Sequence, residues 1–219
     1  MEVKDFIESR SIKKLCHFTK VANLPSILAD GYIYATKELR GHAKTVYNDP
    51  SRADGHEDHV CCSIQYPNGY LLQKWTEAGE GSHEWAILCL DPAVMRRVAK
   101  FCPVNASTAS GRHLQEGIDG LKKMFMKTPP SKFKQYRGPN HLPQCPTDLQ
   151  AEVLVYGRIQ WEKYVTGLVV SSVASKNEVE KILHESGSGV RVINNQRFFD
   201  VDAMRSAARG GPSLNLEES

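Results

Sequence analysis

Three short stretches of this 219-residue sequence carry side chains able to do chemistry. The first is Cys16-His17-Phe18-Thr19, where strand alternation puts His17 and Thr19 on one face and Cys16 and Phe18 on the other. Two polar groups on one face of an otherwise apolar strand need partners, either inside the core or in a bound ligand. The second is Asp49-Pro50-Ser51-Arg52-Ala53-Asp54-Gly55, a loop arginine among acids that suits a surface ion pair or a functional cation. The third is Gln150-Ala151-Glu152-Val153-Leu154-Val155, a carboxylate at the head of an apolar strand, directly after a proline-rich loop. An acid there is costly if buried without a partner, so Glu152 either sits at a rim or serves a purpose. A fourth stretch, His56 to Cys62, has the composition of a metal cluster. Adjacent strand residues face opposite ways, so Cys61 and Cys62 are poorly placed to share one ion, and no metal is expected.

Other chemistries leave no trace. There is no Walker A loop, no Gly-x-Gly-x-x-Gly, no His-Glu-x-x-His and no Gly-x-Ser-x-Gly. The six cysteines form no Cys-x-x-Cys pair. Leu15-Cys16, Val60-Cys61-Cys62 and Leu88-Cys89-Leu90 read as buried thiols in strands, and reduced cysteines fit a cytoplasmic protein. Charge is uneven. Between Lys122 and Thr147 there are six basic residues and no acid, while the remainder holds 22 basic against 25 acidic residues. That basic window suits either an anionic partner or a solvated loop.

The elements that must position these residues follow from patterning. Hydrophobic residues at 41% and charged residues at 24% place the chain with globular proteins and exclude whole-chain disorder. No apolar run reaches the ~18 residues of a membrane span, and the N-terminus does not read as a secretory signal. Strands are predicted at 15–19, 32–35, 59–65, 84–90, 151–156, 167–173 and 190–193. Helices are predicted at 23–29 with Asn23 as cap, 70–75, from Asp91-Pro92 to about Val98, 114–126, and after a capping box at Ser175–Glu178. The sum is an α+β chain with a long proline-rich loop before the strand of Glu152. Residues 1–206 are expected to form a single domain and 207–219 a flexible tail.

In these residues the chain resembles the DarT family, a branch of the ADP-ribosyltransferases that modifies DNA bases using NAD. The run from Cys16 through His17, Thr19, Asn23-Leu24 and Ile27-Leu28 to Gly31 is similar to the family's opening. Arg52 ahead of a strand, Phe101 followed by Asn105-Ala106, and Gln150-Ala151-Glu152 match later blocks in order, over about residues 14 to 173. The resemblance implies an ADP-ribosyltransferase-like fold, a split mixed β-sheet core with flanking helices. It implies NAD as co-substrate, with nicotinamide released and ADP-ribose passed to a base in single-stranded DNA. Glu152 would orient the ribose and stabilise the positive charge that develops as nicotinamide departs. His17, Phe18, Thr19, Ser26 and Tyr34 would contact NAD. Arg52 would contact NAD phosphates or help position the attacking base.

The loop ahead of Glu152 is where such a fold meets its acceptor. There Lys132, Lys134, Tyr136, Arg137 and His141 interleave positive charge with aromatic surface, suiting a single-stranded backbone and base stacking. Single-stranded DNA also avoids the cost of flipping a base from a duplex. The family implies a toxin paired with an antitoxin that removes ADP-ribose, acting in the cytoplasm without a membrane. An RNA-directed enzyme of the same fold and a non-catalytic nucleic-acid-binding module are the alternatives.

Overall fold

The computed structural model describes residues 1–39, 55–77, 84–132 and 134–214. Helix α1 (Val3–Ser9) leads into β1 (Leu15–Lys20), α2 (Leu24–Asp30), β2 (Tyr32–Tyr34) and α3 (Thr36–Leu39). Next come β3 (His59–Ile64), α4 (Gly69–Trp75), β4 (Trp85–Leu90), β5 (Ala99–Cys102), β6 (Gln115–Glu116) and α5 (Gly117–Lys123). After a long irregular segment follow β7 (Glu152–Tyr156), β8 (Arg158–Gln160), α6 (Trp161–Tyr164), β9 (Val165–Val170), α7 (Val173–Glu185), β10 (Val192–Asn194) and α8 (Val201–Ala208).

Eight strands lie in the order β10-β9-β4-β1-β3-β7-β5-β6, and β2 pairs with β8 in a second, small sheet. The pairing of β9 with β10 is parallel and the others are antiparallel, so the sheet is mixed. Its weak line is between β1 and β3. All six residues of β1 pair with β4, from Leu15↔Leu90 to Lys20↔Trp85, but only Leu15↔Ile64 and Cys16↔Ser63 join β1 to β3. From His17 onward the two strands part, and the sheet splits into halves of four strands.

Alternation of side chains sends one set to each face. On one face Leu15, Cys62, Leu88, Phe101, Val153 and Val155 pack beneath Phe6 of α1, Leu24 of α2, Leu121 of α5, and Val179 and Leu183 of α7. On the other, Cys16, Ile87, Cys89 and Val169 pack against Leu72 of α4 and Met204, Ala207 and Ala208 of α8. The six cysteines are free thiols, five of them buried and Cys61 half-buried. Gly31 closes α2 at φ 72°, a backbone conformation that favours glycine, while its N–H donates to Ile27 at 2.9 Å.

Several elements differ from the sequence expectation for identifiable reasons. Asn23 makes no capping bond at α2, because its amide turns back to donate to Thr19. The cap of α7 is Ser172, whose Oγ accepts from the N–H of Ser175 at 3.1 Å, so the helix starts three residues before the expected box. Asp91 caps as expected, but the Pro92–Arg96 segment is a short 3-10 turn, since the chain must straighten to pair Ala99–Cys102 with β7. The expectation of a flexible tail from Ala207 is corrected for the described residues. Ala207, Ala208 and Leu214 are buried, because the small side chains of α8 seat against the core.

Candidate active site

Glu152 opens β7 with only 6% of its surface exposed. Three donors converge on its carboxylate. Asn68 Nδ2 and Asn105 Nδ2 each donate to Oε1 at 3.2 Å, and the N–H of Ala106 donates to Oε2 at 2.8 Å. A buried carboxylate is tolerable only with such partners, and three donors from two directions fix its orientation. Each donor is itself held. Asn68, 1% exposed, uses its Oδ1 to cap α4 by accepting from the N–H of Leu71. The Oδ1 of Asn105 accepts from the N–H of Ser107 at 3.0 Å. Pairing of Cys102 with Glu152 carries the Asn105-Ala106 turn over the carboxylate. On the loop side, Asp148 accepts from the N–H groups of Gln150 and Ala151, a turn that delivers the chain into β7. The negative charge is felt nearby: burial, then Glu152, push the Cys62 thiol well above its ordinary range.

His17 and Thr19 occupy the split. One strand, β3, lies between β1 and β7. The Nδ1 of His17 donates to the Cys61 carbonyl of β3 at 2.8 Å, crossing the line where β1 and β3 separate. That bond fixes the proton on Nδ1 and orients the ring. Thr19 is buried, and its Oγ1 accepts from Asn23 Nδ2 at 3.1 Å. Phe18 points to the opposite face, where its ring meets Trp75 at 5.6 Å and Trp85 at 5.8 Å. Its side chain packs there, on the face opposite that of His17. Ser26 is half-buried on α2. Tyr34 ends β2, with the Arg158 guanidinium 6.0 Å from its ring and 4.6 Å from that of Tyr32. The N–H of Ala35 donates to Gly157, and that of Gly157 to Asp58, which ties this small sheet to the far end of β7. Tyr34 and Glu152 therefore lie toward opposite ends of a five-residue strand, on the order of 13 Å apart along it. Only an extended ligand reaches from one to the other.

Arg52 lies outside the described residues. In the loop ahead of β7, Lys132, Lys134 and Tyr136 are exposed, with Tyr136 at 64%. Arg137 and His141 are instead parts of the loop's own frame. The Arg137 guanidinium donates to the carbonyls of Cys145 at 2.8 Å and Leu142 at 2.7 Å, and lies over the Phe125 ring. Burial, then the charge of Arg10, lower its pKa. The Nε2 of His141 donates to the Pro146 carbonyl at 2.9 Å, while burial, with the charges of Arg137 and Arg209, holds its pKa below the ordinary histidine value. The loop is further pinned where Thr147 donates to the carbonyls of Met124 and Met126. Among the predicted contacts there, positive charge available to a partner comes from Lys132 and Lys134.

Sequence reading missed Asn68 as a site residue. Its position before α4 signals a helix cap, but nothing local reveals that its amide would meet a carboxylate 84 residues later. The structure also gathers His56, Asp58 and His59, with ligand atoms within 4.8 Å of one another. Asp58 Oδ1 accepts from His59 Nδ1 at 2.6 Å. Burial acts to raise the Asp58 pKa, but the His59 hydrogen bond and the charges of His59 and His56 outweigh it and lower it. The cluster sits at the β3 terminus that pairs with Tyr156, away from Glu152.

Comparison with known proteins gives one consistent answer. Residues 16–199 match the family model described as DarT, ssDNA thymidine ADP-ribosyltransferase. Among solved structures, Thermus sp. 2.9 DarT in complex with carba-NAD+ is 18% identical, with a TM-score of 0.64 over 85% of this chain and 97% of that one. The same protein in complex with ADP-ribosylated ssDNA is 16% identical, with a TM-score of 0.62 over 86% and 97% of the two chains. Thermosipho africanus DarTG in complex with ADP-ribose is 18% identical, with a TM-score of 0.59 over 85% of this chain and 51% of that one. A search of curated proteins finds no match.

Proposed function

The chain belongs to the DarT family of ssDNA thymidine ADP-ribosyltransferases, NAD-dependent enzymes that modify a base in single-stranded DNA, and on that premise we propose that Glu152 is its catalytic carboxylate, that the β1–β3 split is its NAD cleft and that thymine is its acceptor base. The observation that carries this reading is the convergence of Asn68, Asn105 and Ala106 on one buried carboxylate beside the split. An extended dinucleotide suits a site that runs from His17 at the split to Glu152 two strands away.

NAD supplies a ribose whose anomeric carbon loses nicotinamide as it gains a bond to a ring nitrogen of the acceptor base, passing through an oxocarbenium-like centre while that nitrogen gives its proton to solvent. In that step Glu152 accepts a hydrogen bond from the ribose 2′-hydroxyl and stabilises the developing positive charge. Its two asparagine partners hold the carboxylate in place before the reaction, so no reorganisation is needed. His17 and Thr19 line the ribose and nicotinamide end of the cleft, with Ser26 and Tyr34 toward the rest of the dinucleotide. Arg52 contacts the NAD phosphates or positions the attacking base. Lys132, Lys134 and Tyr136 guide the single strand by charge and stacking. Residues 1–206 contain this machinery.

A base capped with ADP-ribose blocks templating, which supports a cytoplasmic toxin kept in check by an antitoxin that removes the mark. Among the described residues, no helix is long and apolar enough to cross a membrane. The test is transfer from labelled NAD to matched oligonucleotides. Label on single-stranded DNA that falls when thymines are replaced, and is weak on duplex DNA and RNA, is expected. Label on RNA in preference to DNA would overturn the acceptor assignment, and equal labelling of duplex would overturn the single-strand preference.

A further inference from the structure

Resting on the reading above, we propose that α8 supplies a second phosphate-binding point for the DNA strand, formed by Arg205 and Arg209 across a shallow cleft from the acceptor loop. Helix α8 begins at Val201, just after residues 16–199 that the family model matches. The helix is fastened to the loop. The N–H of Leu142 donates to the Ala208 carbonyl at 2.9 Å, and Arg209 Nη2 donates to Gln135 Oε1 at 2.8 Å. Gly210, at φ 84°, lies so close to Asn140 that a Cβ there would meet its carbonyl oxygen at 2.8 Å.

Tyr70, Gln135, His141, Leu149, Arg205 and Arg209 line the cleft between them. Its enclosed space of about 10 Å³ admits roughly one water, so it reads a group lying across its mouth rather than a ligand sunk within it. Two guanidiniums face that mouth. Arg205 donates to the Tyr70 hydroxyl and to Asp202 at 2.8 Å, which holds its plane, and Arg209 is exposed. The cleft is placed against the chemistry at both walls. Leu149 precedes Glu152 by three residues, and Tyr70 follows Asn68 by two, the asparagine that donates to Glu152. A strand with its target base at Glu152 would pass its neighbouring phosphates over this mouth. Planar guanidinium forks suit phosphate oxygens. With Lys132, Lys134 and the exposed Tyr136, they make one basic track with aromatic surface.

The experiment measures binding of a fluorescent thymine-containing single strand to the full chain carrying Glu152→Ala, from 50 to 200 mM salt, with wild-type transfer assayed beside it. Each phosphate contact contributes about 0.7 to the salt slope of a single strand. Arg205→Gln with Arg209→Gln should lower the slope by about 1.4, so affinity lost over that range shrinks about sevenfold. Arg205→Lys with Arg209→Lys should keep the slope, and so should Lys181→Gln on the exposed face of α7. An unchanged slope in the glutamine pair, or an equal drop in the lysine pair, overturns the inference while wild-type transfer stands. Failure of the wild type to transfer to DNA overturns the underlying reading instead.

Discussion

Replacing Asn68 by aspartate probes how Glu152 is held. Asn68 has two jobs: its Oδ1 caps α4, and its Nδ2 donates to Glu152 Oε1 at 3.2 Å. An aspartate in its place would keep an acceptor for the cap, whose loss costs roughly 0.5–2 kcal/mol, so α4 itself should still form. The donor, however, becomes a second carboxylate oxygen at the same distance. Two unit charges 3.2 Å apart repel by about 5 kcal/mol at an effective dielectric of 20. The pair relieves this by holding one proton or by moving Glu152 off its seat. A displaced or protonated carboxylate should slow single-turnover transfer from NAD to a thymine oligonucleotide about 10²-fold near neutral pH. Because the retained proton leaves as pH rises, the variant's rate relative to wild type should change with pH. An aspartate variant within twofold of wild type, with the same pH profile, would refute the claim that Asn68 positions the carboxylate.

Three further outcomes follow from the loop. Arg137→Ala removes two bonds to the Cys145 and Leu142 carbonyls and should cost about 2–4 kcal/mol, lowering Tm by roughly 5–12 °C in a thermal melt. Burial holds the folded His141 imidazole below its ordinary value of about 6.5, so the stability of its neutral form is full above that pH and is lost as pH falls beneath it. His141→Gln should therefore flatten the acid side of the Tm-against-pH curve below about pH 6.5. Lys132→Gln with Lys134→Gln should weaken single-strand binding about equally for all sequences and lower the salt slope by about 1.4, read by fluorescence anisotropy.

Short-range signals carried much of this molecule. Apolar strands at β1, β4 and β7 are legible because each places dense hydrophobic residues between turn formers, and the Gln-Ala-Glu head of β7 marks an acid at the edge of such a strand, directly after a proline-rich loop. Long-range consequences were not legible. Even close in sequence, Asn23 has the right type and place for a helix cap, yet Thr19, four residues earlier near the end of β1, claims its amide. Arg137 and His141 look like nucleic-acid contacts by composition, but the irregular loop needs donors for its own carbonyls and takes them. Helix α8 was hidden because its apolar stripe of Val201, Met204, Ala207 and Ala208 is short and small, and becomes a core face only once α4 lies beside it.

The central claim is that Glu152 carries out ADP-ribose transfer to single-stranded DNA. The measurement is intact mass of a thymine-containing oligonucleotide after incubation with NAD and either the wild-type chain or Glu152→Gln, which keeps the side chain's shape and removes its charge. The account predicts a gain of one ADP-ribose with the wild type and none with the folded variant. An equal gain with both would show that the chemistry lies elsewhere.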